Sequence, residues 1–358
     1  MRGWTGGQYS IYRVLLGSAA IAVCGWIATR GGGLLLALSI PGIVAGLMLM
    51  IGLRDRLAGF FLAALFLTFE YMHPVGWISF LLLAVACGFH GMTMTAPYGS
   101  WAARGRRDPN GGWRWNPKHY RAACLAIAGY GALEGVRLAN DLLFRTVGFA
   151  EAARAFLAIG LFVAMIGAAL ILHRSVPAAA WGAMAFLALV LWLLVGSAAL
   201  NVGFFFLWLF LFDPAWIPGS RKKSRYREIV FFDGECGLCH ALVRMLFAED
   251  RKPVFTFAPL QGETGKRLLP EAVRKRIGDS FGLYSGGGRV LTRSRGALLV
   301  AERLGGLWRV LAVIGKIIPS PLADVAYSAI AAIRGWLFTK PNNLCPVIPR
   351  HLRRRMLP

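Results

Sequence analysis

The chain has 358 residues, of which 57% are hydrophobic and only 16% charged, and this balance excludes a wholly soluble globular protein. Charge is concentrated toward the C-terminus: residues 221–358 hold 25 of the 40 Lys+Arg and 10 of the 17 Asp+Glu. The net charge of +23 does not indicate nucleic-acid binding, because no nucleic-acid motif accompanies it and membrane proteins are commonly basic where they face anionic lipid.

These contrasts divide the chain into three parts. We predict a multi-span transmembrane helical domain at residues 1–218, a basic juxtamembrane linker at 219–227 and a second domain at 228–358. The second domain is long enough to bury a core of its own. The expected partner of the first part is a lipid bilayer.

Apolar segments of about 20 residues, the length that crosses a bilayer, follow one another through the first part. We predict spans at 11–29, 34–53, 57–72, 75–95, 120–138, 154–172 and 178–213. The last segment fits either one long tilted helix or a hairpin of two short spans, broken near residues 196–203. Basic loops lie at 54–56, 104–119 and 221–227, and the positive-inside rule places them in the cytoplasm. We therefore expect a multi-pass protein of the bacterial inner membrane whose C-terminal domain is cytoplasmic.

Several ionisable residues lie in or beside these spans. Such groups either face the interior of a bundle or extend toward the membrane interface. They are Glu70, His73, His90, Glu134, Arg137 and Asp141. Three single cysteines in apolar segments are expected to be buried as small hydrophobic residues: Cys24, Cys87 and Cys124.

Three segments of the first part resemble the HTTM domain, the membrane domain shared with vitamin K-dependent γ-carboxylases. They are "GLRDRLA" (52–58), "PYGSWAA" (97–103) and "FFFLWLFLFDPAWIP" (204–218). The resemblance implies a multi-helix bundle and a quinone-like or other lipidic partner. It carries over no catalytic residue, because the family's chemistry uses a lysine base and the one lysine of residues 1–220, Lys118, lies in a predicted loop.

The second domain begins with the pattern of a strand, a turn and a helix. "EIVFFDG" (228–234) predicts a buried strand that ends in a turn, and "CGLCHALVRMLFAED" (236–250) has the spacing of a helix with one buried face. Further elements are predicted as a strand at 254–260, helical segments at 262–277, a hairpin at 280–294, a helix at 295–306 and helices over 308–338 interrupted at Pro319 and Pro321. The expected architecture is a polytopic α-helical membrane bundle followed by an α/β thioredoxin-like domain.

The cysteine pair of this domain lies where the first strand meets the first helix. A helix N-terminus favours negative charge, so Cys236 is expected to be the attacking thiolate and Cys239 the resolving thiol. Asp233 is expected to accept hydrogen bonds from backbone amides that shape the turn. Glu235, beside the thiol, opposes its ionisation.

The residues alone leave other interpretations of this pair open. Cys236-x-x-Cys239-His240 also fits the spacing of c-type haem attachment, although His240 is more simply a helix-surface residue. A zinc site would need four ligands, which Cys345 and one of His240 or His351 could complete. A redox-silent thioredoxin-like binding module is a further alternative. We expect no bound cofactor and no metal.

The domain resembles the DCC family of thiol–disulfide oxidoreductases, named for Asp-x-x-Cys-x-x-Cys, here Asp233-Gly-Glu-Cys236-Gly-Leu-Cys239. The similarity continues in "FAPLQGE" (257–263), "SRGALLVAERLGG" (294–306) and "CPVIPRHLRRRML" (345–357). It implies dithiol–disulfide exchange with protein or small-molecule thiols and disulfides as substrates. One departure concerns the segment 278–284, which lacks the proline that thioredoxins carry before the third strand.

Overall fold

Helices occupy most of the N-terminal region. The computed structural model describes residues 3–72, 79–93, 96–110, 113–114, 116–144, 148–175, 177–195, 201–220, 228–277, 281–285, 288–337 and 349–358. Within these residues, the helices that precede the first strand are α1 (Gly6–Arg30), α2 (Gly33–Ile51), α3 (Asp55–Met72), α4 (Phe80–Gly91), α5 (Pro117–Phe144), α6 (Phe149–Arg174), α7 (Ala178–Val195) and α8 (Val202–Phe210).

Four of these helices, α1, α2, α5 and α6, are long and apolar enough to cross a membrane, and α4 and α7 are shorter apolar helices. This confirms the predicted helical N-terminal region with several apolar helices. The three predicted buried cysteines are indeed buried as free thiols: Cys24, Cys87 and Cys124. Small residues allow neighbouring helices to approach closely, because a Cβ added to Gly17 of α1 would lie 2.8 Å from the carbonyl oxygen of Gly46 in α2.

Helices α7 and α8 are antiparallel, which decides between the two predicted forms of segment 178–213. Trp181 near the start of α7 stacks on Trp208 near the end of α8, with ring centroids 4.0 Å apart. Each indole Nε1 donates to the backbone oxygen of the other tryptophan, at 2.8 and 3.0 Å. The segment is therefore a hairpin, and the chain leaves α8 on the side of the bundle where α7 begins.

The polar residues of the spans have different environments. His90 is fully buried, and its Nδ1 lies 3.0 Å from the Tyr9 hydroxyl and its Nε2 3.6 Å from Asp55 Oδ2. Glu70 accepts a hydrogen bond from the first turn of α4, whereas Arg137 is exposed and Glu134 half-buried. His73 lies outside the described residues.

The C-terminal domain contains a mixed four-stranded sheet in the order β2-β1-β3-β4. Its strands are β1 (Glu228–Phe232), β2 (Phe255–Pro259), β3 (Phe281–Ser285) and β4 (Arg289–Thr292). β1 is parallel to β2 and antiparallel to β3, and β3 is antiparallel to β4. The helices are α9 (Gly237–Glu249), α10 (Glu263–Leu268), α11 (Glu271–Ile277), α12 (Arg293–Leu304), α13 (Gly306–Gly315) and α14 (Ser320–Leu337). This order of elements confirms the predicted thioredoxin-like α/β fold.

The end of the chain is part of the domain's core. Arg355 is 8% exposed, donates to the backbone oxygen of Phe255, pairs with Asp250, and lies over the rings of Phe247 and Phe257. The Leu357 amide donates to the Phe257 carbonyl at 2.7 Å. The last residues therefore extend the sheet edge formed by β2.

The C-terminal domain contacts one end of the bundle. The Tyr98 hydroxyl, in the loop after α4, donates to the Ala241 carbonyl of α9 at 3.0 Å. Arg251 donates to the backbone oxygens of Gly3 and Trp4, just before α1. The predicted basic loops after α2 and α4 meet at the same end, because the Ala102 amide donates to the Gly52 carbonyl. The third basic segment, 221–227, lies outside the described residues.

Glu249, at the end of α9, connects the two parts of the chain. Its carboxylate, 3% exposed, accepts hydrogen bonds from Thr5 Oγ1, from the Gly7 amide at 2.7 Å and from Trp308 Nε1 at 2.6 Å. Thr5 and Gly7 lie at the N-terminus of α1, where the helix dipole favours a negative charge. Even so, burial raises the pKa of Glu249 above its usual value near 4.5, and the three hydrogen bonds oppose this shift only in part.

The raised pKa of Glu249 predicts how stability depends on pH. A carboxyl group with a raised folded-state pKa binds its proton more tightly when folded, so its contribution to stability is complete below the unfolded pKa and is lost as pH rises toward the folded pKa. We expect the melting temperature of the full chain in detergent to fall relative to that of Glu249→Gln as pH increases from about 4 to neutrality. A difference between the two proteins that stays constant over this range would contradict the prediction.

Candidate active site

The cysteine pair lies on a turn that the end of β1 and the start of α9 hold in place. Cys236 is the N-cap of α9, and its sulfur accepts a hydrogen bond from the Cys239 amide at 3.4 Å. The Cys236 amide donates to the Asp233 carbonyl at 3.3 Å, and the Cys236 carbonyl accepts from the His240 amide at 3.1 Å. The sulfur of Cys236 thus faces the positive end of a helix dipole, as the sequence predicted.

Both sulfurs are largely shielded from solvent by apolar residues. Cys236 is 8% exposed and Cys239 is 5% exposed, and both are free thiols. They belong to the core that packs between the sheet and its helices, together with Val230, Phe232, Val243, Leu246, Phe247, Phe255, Phe257, Phe281, Leu283 and Val300.

The two thiols are electrostatically coupled. The hydrogen bond with Cys236, followed by burial, raises the pKa of the Cys239 thiol well above its usual value of 9.0, and the nearby charge of Asp233 adds to the effect. A thiol that keeps its proton can donate a hydrogen bond to a neighbouring thiolate. The pair is therefore asymmetric, because Cys239 holds its proton more tightly than an ordinary thiol does.

Asp233 organises the turn, as the sequence predicted, but with a partner that was not foreseen. Its Oδ1 accepts from the Glu235 amide at 2.9 Å and from Gln261 Nε2 at 2.7 Å. Gln261 Oε1 in turn accepts from the Gly234 amide at 3.1 Å. Gln261 therefore joins the loop after β2 to the cysteine turn. The signal for it was its place in "FAPLQGE", one of the segments that carry the family resemblance.

The prediction that His240 is a helix-surface residue was wrong. His240 is 9% exposed, and its Nε2 donates to the Gly234 carbonyl at 2.9 Å. Its ring also packs edge-on against Phe232, with centroids 5.9 Å apart. His240 and Gln261 therefore both bind the backbone of Gly234, His240 at its carbonyl and Gln261 at its amide. Glu235, by contrast, is exposed.

Within the described residues, no group of three or more His, Cys, Asp or Glu side chains could hold a metal ion. His351 is exposed. The other candidate zinc ligand, Cys345, lies outside the described part of the chain, as do residues 278–280 before β3.

Comparison with known proteins places this site in a family. A family model described as DCC1-like thiol-disulfide oxidoreductase matches residues 230–340. The uncharacterized protein YuxK of Bacillus subtilis (strain 168) is 35% identical over 132 residues, which are 37% of this chain and 94% of YuxK. The chain belongs to the DCC1-like thiol-disulfide oxidoreductase family. No solved structure matches the chain significantly.

The DCC1-like match begins within β1 and includes the cysteine turn, Gln261 and the helices up to α14. It lies entirely within the C-terminal domain. The apolar helices that precede it indicate association with a membrane. Family membership and these helices together indicate a redox function anchored at a membrane, with thiols or disulfides as the substrate class.

Proposed function

We propose that the protein is a membrane-anchored thiol–disulfide oxidoreductase that exchanges dithiol and disulfide through Cys236 and Cys239. The observation that carries the proposal is the position of the Cys236 sulfur at the N-cap of α9, where it accepts a hydrogen bond from the Cys239 amide. Asp233 holds the turn on which the sulfur sits. In this proposal the bundle spans residues 1–218, a basic linker follows at 219–227, and the DCC1-like domain occupies 228–358.

The proposed reaction reduces a disulfide in two steps. The Cys236 thiolate attacks one sulfur of the substrate disulfide, the S–S bond breaks, and the other substrate sulfur leaves as a thiolate that takes up a proton. Cys239 then loses its proton and attacks the Cys236 sulfur. This step releases the second substrate thiol and leaves a disulfide between Cys236 and Cys239, which a thiol reductant must reduce before the next cycle.

The coupling between the cysteines suits this order of events. While Cys236 is a thiolate, its hydrogen bond with Cys239 helps to keep the second thiol protonated. Once the Cys236 sulfur is bonded to substrate, it carries no charge and this cause of the raised Cys239 pKa disappears. Cys239 then ionises more readily, at the moment when it must attack.

The proposed location is the bacterial inner membrane with the DCC1-like domain on the cytoplasmic side. The support is the position of the domain at the end of the bundle where the basic loops after α2 and α4 meet. In a reducing cytoplasm the pair rests as a dithiol, so the enzyme acts as a reductant. The resemblance to the HTTM domain adds a quinone-like lipidic partner for the bundle. The buried polar group of Tyr9, His90 and Asp55, at the end of the bundle, supports this partner as a polar site.

A redox titration of the full chain tests the proposal. The purified protein is equilibrated with glutathione buffers of increasing potential, its free thiols are alkylated, and the peptides are analysed by mass spectrometry. We expect one two-electron transition that converts two alkylated cysteines into a 236–239 disulfide, and the same transition in a Cys124→Ala control. The alternative, a redox-silent binding module, would be supported by two results together. The pair would stay reduced throughout the titration, and the Cys236→Ala/Cys239→Ala protein would function as the wild type does.

A further inference from the structure

A continuous apolar surface is exposed on helices α13 and α14 of the DCC1-like domain. Seven large aliphatic side chains between residues 311 and 325 are 46–78% exposed. They are Leu311, Val313, Ile314, Ile317, Ile318, Leu322 and Val325. Soluble surfaces rarely expose so many neighbouring apolar side chains unless the patch has a binding role. The redox site does not account for this patch, because none of these residues belongs to the core around the cysteines.

The start of α13 is attached to the bundle. The Gly306 amide donates to the Ile217 carbonyl at 2.8 Å, and the Leu307 amide donates to Gln8 Oε1 at 3.1 Å. Leu307 also packs against the hydrophobic core of the bundle. The exposed apolar surface therefore starts directly at the end of the membrane bundle.

Aromatic residues mark the level of the membrane interface at this end. Trp181, Trp208, Phe212 and Trp216 form one group, with neighbouring ring centroids 4.0–5.8 Å apart. Tryptophans are enriched where a membrane protein passes from hydrocarbon to headgroups. Helix α13 packs against the short 3₁₀ helix Pro214–Trp216 that carries the last of these rings. The start of α13 thus lies beside this aromatic group at the end of the bundle.

We propose that α13 and the first turns of α14 lie in the membrane interface, with their exposed aliphatic side chains inserted among the lipid acyl chains. The two helices meet at an angle of 118°, and neither resembles a straight span. Ten residues of α13 extend about 15 Å, half of the roughly 30 Å hydrocarbon core, so α13 is too short to cross. Apolar side chains beside the basic Arg309 and Lys316 are typical of helices that lie in the interface plane.

Acyl-chain photolabelling of the full chain tests this proposal. The protein is incorporated, one copy per disc, into nanodiscs containing a phospholipid with a diazirine on its acyl chain, and labelled peptides are identified by mass spectrometry after illumination. We expect peptides covering residues 311–325 to be labelled at least about tenfold more than those of the exposed helix α11, because the probe is confined to the bilayer. Peptides of α6 serve as the positive control.

Matched variants identify the side chains responsible. Ile317→Glu/Leu322→Glu is expected to reduce labelling of 311–325. Ala272→Glu/Lys275→Glu, which also introduces two glutamates but at exposed positions on α11, should leave this labelling unchanged. Labelling of 311–325 no greater than that of α11, while α6 is labelled, would overturn the proposal. If labelling of 311–325 is that low and native mass spectrometry of the protein without discs detects a dimer, the surface would be assigned to a second copy of the chain.

Discussion

Replacing Cys236 by serine is expected to lower the rate of disulfide reduction by at least about 100-fold, because a serine hydroxyl is not ionised near neutral pH and cannot replace the attacking thiolate. Cys239→Ser should instead stop the reaction after the first step, since no thiol remains to release the mixed disulfide. The measurements are initial rates with a protein disulfide substrate and the intact mass of the protein after reaction. A substrate adduct is expected on Cys239→Ser alone.

Two further variants make this test specific. Cys124→Ser removes a buried thiol of α5 and is the control for the loss of a cysteine elsewhere. Cys239→Ala removes the side-chain thiol donor to Cys236 and keeps the backbone amide donor, so alkylation of Cys236 should be slower than in Cys239→Ser, which keeps a hydroxyl donor as well. A Cys236→Ser protein that reduces the substrate at the wild-type rate would rule out the proposed exchange mechanism.

Replacing Glu228 by alanine is expected to destabilise the C-terminal domain by about 3–5 kcal/mol, because it leaves the Arg303 guanidinium buried without its counter-charge. Arg303 donates to both carboxylate oxygens of Glu228, at 3.0 and 3.2 Å from Nε, and the two side chains are only 6–7% exposed. Arg303 also donates to the backbone oxygen and hydroxyl of Ser220, so it links β1, α12 and the start of the linker that follows the bundle.

An exposed ion pair of the same domain is the control for this prediction. Glu271 and Lys275 on α11 form an i,i+4 pair whose side chains are 68% and 78% exposed, and Lys275→Ala should cost less than about 1 kcal/mol. The two variants are compared by unfolding the detergent-solubilised chain with denaturant. Unfolding of the C-terminal domain is monitored by its susceptibility to proteolysis. Equal losses of stability in Glu228→Ala and Lys275→Ala would contradict the argument from burial.

The elements of the C-terminal domain could be predicted because each has a strong local pattern. The apolar run of 228–234 became β1, the one-sided spacing of 236–250 became α9, and Pro319 lies at the break between α13 and α14. Because these patterns are local, they also predicted that the cysteines lie at a helix N-terminus. The predicted helix between β1 and β2 also fits their parallel pairing, which needs such a crossover.

The contacts that complete the site and orient the domain join residues far apart in the sequence, and no local pattern predicts them. Gln261 reaches Asp233 from 28 residues away, and His240 is buried in contact with the Gly234 carbonyl and the Phe232 ring. The reversal within 178–213 is visible in the stacking of Trp181 on Trp208. Both tryptophans fit the apolar pattern of one long helix as well as that of a hairpin, so the pattern does not indicate the reversal. Hydrophobicity alone therefore predicted the extent of this segment but not its direction.

The carboxylate of Glu249 also constrains when the protein can be completed during synthesis. The Gly7 amide, in the first turn of α1, has its partner 242 residues later in the chain. Helix α1 therefore waits for this partner until helices α2 to α8 and the cysteine turn, which precede Glu249, have been translated. Until then its amides depend on water at the membrane surface. Chains that stop before Glu249 should therefore reach the membrane with the N-terminus of α1 still lacking this partner.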